Sequence, residues 1–168
     1  MLTELLLGIA GTVIALGVAV TTIWQGFLAR QYNRLSVKPM LRVDRITVSG
    51  ENAKIVLRNT GVGPAVIIRI KFFVDGVAIE QSFSKVGELA LQKIGLDTAH
   101  YRILEIFPKE SFSAGEQPAL FESIDIIKDY MMAEEVRKAF KRLAVEVEYE
   151  SIYKEKFNCM EKSDQKDE

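Results

Sequence analysis

LLLGIAGTVIALGVAVTTIWQGFL, residues 5–28, carries no charged side chain. At 1.5 Å of rise per residue, a helix of about 24 residues crosses the roughly 30 Å hydrocarbon core of a bilayer with some tilt. The stretch therefore predicts a membrane-spanning helix. A cleaved signal peptide would place basic residues before a shorter apolar run and end in a small-x-small site, and here only Glu4 is charged ahead of the run. A buried core helix is rarely so uniformly apolar.

Moving outward, the flanks are unequal. Arg30, Arg34, Lys38, Arg42 and Arg45 follow the apolar run. Lys and Arg accumulate on the cytoplasmic side of spanning helices, so the N-terminus is expected outside and the rest of the chain inside. Trp24, Phe27 and Tyr32 sit toward the same end, where amphipathic rings settle at headgroup level. Arg30, Arg34 and Lys38 can reach anionic headgroups, each worth on the order of 1 kcal/mol. Membrane lipid is thus an expected partner, and the same cations serve equally as topology determinants.

Within the run, Gly8, Thr12, Ala15, Ala19, Thr22 and Gly26 alternate spacings of four and three, which lines them along one stripe. Lipid tails give apolar helices no hydrophobic reason to pair, so pairing depends on close backbone approach at small residues. The stripe is a candidate helix-packing face, for a second copy or a partner helix. Gly, Ala and Thr are also simply common in spanning helices. No intramembrane charge suggests a channel or proton path.

Beyond residue 28 the sequence divides into a basic juxtamembrane linker, 29–40, a folded domain, 41–160, and a disordered acidic tail, 161–168. Pro39 stops the helix and holds Lys38 extended. LRVDRITV and AKIVLRN alternate as strands around the turn-forming SGEN. NTGVGPA breaks the pattern, VIIRIKFFV resumes it, and Asp75-Gly76 signals a hairpin into a short fourth strand. Phe83, Val86, Leu89, Ala90 and Ile94 recur at helical spacing before Gly95, a C-cap candidate. Gly87 reads as a weakening interruption. HYRILEIF and EQPALFES are strand-like. A second helical pattern takes in Ile124, Ile127, Met131, Ala139, Phe140 and Leu143, with Glu134 and Glu135 placed to pair with Lys138 and Arg142. LAVEVEYESIYKEKFNCM predicts a closing hairpin. Short strands at such intervals predict a mainly β domain, an antiparallel sandwich carrying one or two short helices.

The order of an apolar helix, RQYNRLSVKPML and then LRNTGVGPAVI resembles a widespread group of small bacterial inner-membrane proteins with one N-terminal helix. FSAGEQPAL and VEVEYESIYKEKF are similar to the late strands of immunoglobulin-like, adhesion-type sandwich domains. The resemblance implies an immunoglobulin-like fold and an anchoring mode, and brings no catalytic residues with it.

Chemistry is sparse. A net charge of -1 and a pI near 6.0 give no global field for nucleic acid, which is not expected as a partner. The one cysteine, Cys159, allows no intramolecular disulfide, and no metal or cofactor site is expected. Gly61-Val62-Gly63 lacks the Lys and Ser or Thr of a phosphate loop and is followed by Pro64, so it reads as a turn. His100 begins a strand with no ligand-spaced neighbours. Glu146, Glu148 and Glu150 share one strand face, as do Arg69 and Lys71, and a solvated face explains both. No convergent titratable groups assemble, so an enzyme is not expected. The expected function is a membrane-tethered binding or adaptor module, or an accessory subunit of an inner-membrane complex. The alternative is an oligomerising membrane sensor or effector in stress or phage defence.

Overall fold

The structure, a computed structural model, describes residues 2–79 and 85–161. Phe83 of the first helical pattern and the tail residues 162–168 lie outside them. Two compact units result, Met1–Ser36 and Val37–Glu168.

The first unit is one helix, α1 (Leu2–Ser36), long and apolar enough to cross a membrane. It runs past the uncharged stretch, so Arg30 and Arg34 stand on helix rather than on a linker. The hydroxyls within its apolar run turn back onto the helix: Thr12 donates to the Gly8 carbonyl (2.9 Å) and Thr22 to the Val18 carbonyl (2.8 Å). Backbone satisfaction of this kind suits an apolar surrounding.

The second unit contains two antiparallel sheets. Its strands are β1 (Leu41–Ile46), β2 (Asn52–Asn59), β3 (Ala65–Val74), β4 (Val77–Ala78), β5 (Tyr101–Ile103), β6 (Ser111–Phe112), β7 (Ala119–Ile126), β8 (Leu143–Glu150) and β9 (Lys156–Glu161). One sheet has the order β1-β2-β7-β5, the other β4-β3-β8-β9, with β6 also paired to β3. Leu41, Val43, Ile55, Leu57 and Phe121 of the first sheet and Ile67, Val145 and Val147 of the second belong to one core. The Phe72 and Phe121 rings meet edge to face across it at 5.5 Å.

The predicted hairpins form because their alternation is regular. Val43 opposes Leu57, and Val147 opposes Cys159. Asp75 (φ 51) and Gly76 (φ 79) turn β3 into β4. The closing strand extends one residue into the expected tail, to Glu161.

Two helices join the sheets, α2 (Val86–Lys93) and α3 (Tyr130–Lys141). Gly95, just past α2, takes the left-handed conformation (φ 87). Four expectations are corrected. The chain is not mainly β: among the described residues helix accounts for 37% and strand for 34%, because α1 alone contributes 35 residues. Of HYRILEIF, only Tyr101–Ile103 is strand. The second helix starts later than its pattern: Ile124 lies in β7, Met131 is exposed, and the buried face is Ala133, Val136 and Phe140. The Asp129 side chain accepts from the Met132 N–H (2.8 Å) and fixes that start. The expected cross-turn pairs are replaced by Arg137 with Glu134 (2.8 Å) and Arg142 with Asp75 (2.6 Å).

Candidate functional site

The small-residue stripe is unbroken. α1 is continuous through Gly8, Thr12, Ala15, Ala19, Thr22 and Gly26, and its described side chains from Leu2 to Phe27 are all exposed.

The cations that follow the apolar run divide differently from their sequence. Arg30 and Arg34 are exposed on α1. Lys38 holds its ammonium 5.3 Å above the Phe157 ring, and its carbonyl accepts from the Val62 N–H (3.2 Å). Arg42 pairs with Asp44 (2.9 Å). Arg45 turns inward, 15% exposed, onto Glu161 (2.9 Å) and the Leu143 carbonyl (2.6 Å). A groove of about 480 Å³ beside β1 adds Arg58 and Arg137 to these, but Asp44 and Glu134 already face them.

Where the chain enters the folded unit, sequence reading saw only a turn. Asn59, 1% exposed, accepts from the Met40 and Gly61 N–H groups (3.2 and 3.0 Å) and donates to the Gly63 and Phe112 carbonyls (2.8 and 3.0 Å). The Tyr149 hydroxyl accepts from the Leu41 N–H (3.2 Å). A side chain at Gly61 would strike the Lys38 and Met40 backbone, and one at Gly63 the Val37 carbonyl. The NTGVGPA glycines therefore permit close approach of residues 37–40, which are bound into the domain rather than being a free linker.

The acidic strip is also engaged. Lys71 reaches Glu146 (3.2 Å) and Glu148 (3.3 Å), and Lys154 reaches Glu150 (2.5 Å). These bonds raise the Lys71 pKa, while Asn158 first and Lys71 second lower that of Glu146. His100 makes an exposed contact with Asp125 (3.2 Å). Among the described residues no group of three His, Cys, Asp or Glu could hold a metal ion. Burial pushes the Cys159 thiol up, away from the reactive thiolate.

One surface stands apart. β1 carries the chain away from Met40, and the turn after it sits at the opposite end of the unit. There Gly50 and Glu51 exchange hydrogen bonds with Ile127 (2.9 and 3.0 Å), Asn52 opposes Ile126, and Arg137 of α3 reaches Thr47 (3.4 Å). This end exposes Val48, Ile124, Ile126, Tyr130 (68%), Met131 (70%) and Met132. Glu51, Asp125, Asp129 and Glu135 are exposed around them and outnumber the one cation among them, the exposed Lys128. The sequence spread these residues over two predicted elements and assigned Ile124 and Met131 to a buried helix face, which hid the patch.

No protein-family model matches the chain, and neither a curated protein nor a solved structure matches it.

Proposed function

We propose that this chain is a binding module held at the inner membrane by α1, with its folded unit in the cytoplasm, serving as an adaptor or accessory subunit for a protein partner. The observation that carries the reading is the apolar end bearing Tyr130 and Met131. Exposed apolar clusters of this kind mark interaction sites, and Tyr and Met are enriched where interfaces are buried. The surrounding carboxylates favour a partner face with an apolar centre and basic rim. The apolar helix and the cations that follow it support the anchoring and the orientation. The paired sheets, with Tyr149 in the penultimate strand, support an immunoglobulin-like sandwich.

The test is the composition of the full-length chain extracted gently from its own host membrane, compared with Met131→Glu. A second protein in fixed ratio, lost from the variant, supports the reading. A defined homo-oligomer indifferent to the substitution favours assembly through the small-residue stripe instead, and with it the effector reading. A monomer in both preparations sinks both.

A further inference from the structure

Residues 37–40 fix one end of the folded unit, and three turns meet there. The Lys38 carbonyl accepts from the Val62 N–H, and the Lys38 ammonium lies over the Phe157 ring. The Glu116 carbonyl accepts from the Asn59 N–H (2.9 Å). β3 begins at Ala65, and its Val66 opposes Glu150, the last residue of β8. The turn between β8 and β9, residues 151–155, therefore leaves the sheet at the same end.

That turn is closed on itself. The buried Ser151 donates its N–H to the Glu155 carbonyl (2.9 Å), and its hydroxyl accepts from the Tyr153 and Glu155 N–H groups (3.2 and 3.3 Å). Backbone and one serine hold the turn, which gives the fold no reason to place apolar side chains at its tip, yet Ile152 and Tyr153 are exposed there. Val62, at the tip of the turn beside Lys38, is 70% exposed, and Met40 is exposed as well.

The charges around these tips balance. Lys38, Lys154 and Lys156 are set against Glu116, Glu150 and Glu155, and Lys109 with Glu110 beside Ile67 adds one of each sign. Glu150 is held by Lys154 (2.5 Å), and the Glu116 carboxylate accepts from the Ser113 N–H (2.8 Å). Apolar tips with a tyrosine and long lysines suit a bilayer surface, where amphipathic rings settle at headgroup level and lysine stems lie along apolar material with the ammonium in water. The acidic opposite end does not suit a surface of anionic lipid.

We propose that Met40, Val62, Ile152 and Tyr153 rest in the headgroup layer of a lipid bilayer, so that the folded unit sits on the membrane by this end and presents its acidic apolar end to water. The proposal rests on the reading of α1 as a spanning helix. α1 ends at Ser36, one residue before Val37 and about 12 Å of helix past Leu28. Along the chain, this end is thus the part of the folded unit that follows most closely on the apolar run. Because the charges balance, the contact depends on apolar insertion rather than on anionic lipid.

The full chain in phosphatidylcholine nanodiscs tests it, with the fluorophore NBD on single cysteines in a Cys159→Ala background. Val62→Cys and Tyr153→Cys label the tips, Ser49→Cys the opposite end, and Val13→Cys the apolar run, all at exposed positions. A nitroxide carried near the lipid headgroup should quench both tip labels and leave Ser49→Cys bright. Tips quenched no more than Ser49→Cys overturn the proposal. Tips shielded from aqueous iodide but not quenched by the nitroxide would assign this end to a second copy of the chain, and also overturn it. A nitroxide deep in the acyl chains reports separately on the span through Val13→Cys. No quenching there sinks the spanning reading and this proposal with it, whereas quenching there with bright tips sinks this proposal alone.

Discussion

Asn59 uses both ends of its amide at once, joining residues 40, 61, 63 and 112. Replacing it by Ala leaves several buried backbone groups without partners, and unsatisfied groups each carry a penalty near 1–3 kcal/mol. Asn59→Ala should destabilise the domain by roughly 3 kcal/mol, read from denaturant unfolding of the full chain in micelles. A loss below about 1 kcal/mol, the ordinary net worth of a single hydrogen bond, would mean that water replaces the amide. In the sequence Asn59 was one letter of a turn. The turn was legible because Gly and Pro punctuate locally. The clamp was not, because its partners lie 19 and 53 positions away.

Elements were legible where periodicity is local and one-sided. Val145, Val147 and Tyr149 alternate with glutamates, and β8 follows that pattern. α3 shows the failure: Ile124, Ile127 and Met131 happen to fall near helical spacing, whereas the Asp129 cap signals the true start. Gly87 shows another. By propensity it weakens α2, yet a Cβ there would lie 2.6 Å from Ile103 Cγ2 and 3.3 Å from Phe121 Cε1. The glycine lets helix and sheet approach. Gly87→Ala should therefore destabilise by about 1–3 kcal/mol despite better helix propensity, since overpacking outweighs the roughly 1 kcal/mol that propensity gains. Thermal melts check the sign, and a stabilised variant would refute the packing argument.

At the scale of the whole molecule, the long apolar helix was legible because an uncharged run is a property of consecutive residues. The apolar end and the fate of Arg45 arise from pairing between distant strands. That pairing also sets the pH response. Arg142 holds the Asp75 carboxyl below its usual value, and Asn158 and Lys71 do the same for Glu146. Groups lowered on folding stabilise above the ordinary carboxylate range, and that contribution disappears as pH falls below about 4. Lys71 is raised, so its contribution is complete below about 10.5 and is lost above it. Stability should be flat between those limits and decline on both sides, with the acid decline reduced in Asp75→Asn/Glu146→Gln. An unchanged acid decline in the double variant would place its origin elsewhere.

The claim that the apolar end docks a protein at the membrane is tested most directly by photocrosslinking in the native host, with a benzoylphenylalanine at position 131 compared with one at position 54 on β2. A single discrete heterologous adduct from position 131, absent from 54, is the predicted result. Equal, diffuse labelling from both positions, or adducts only to a second copy of the chain, would contradict it.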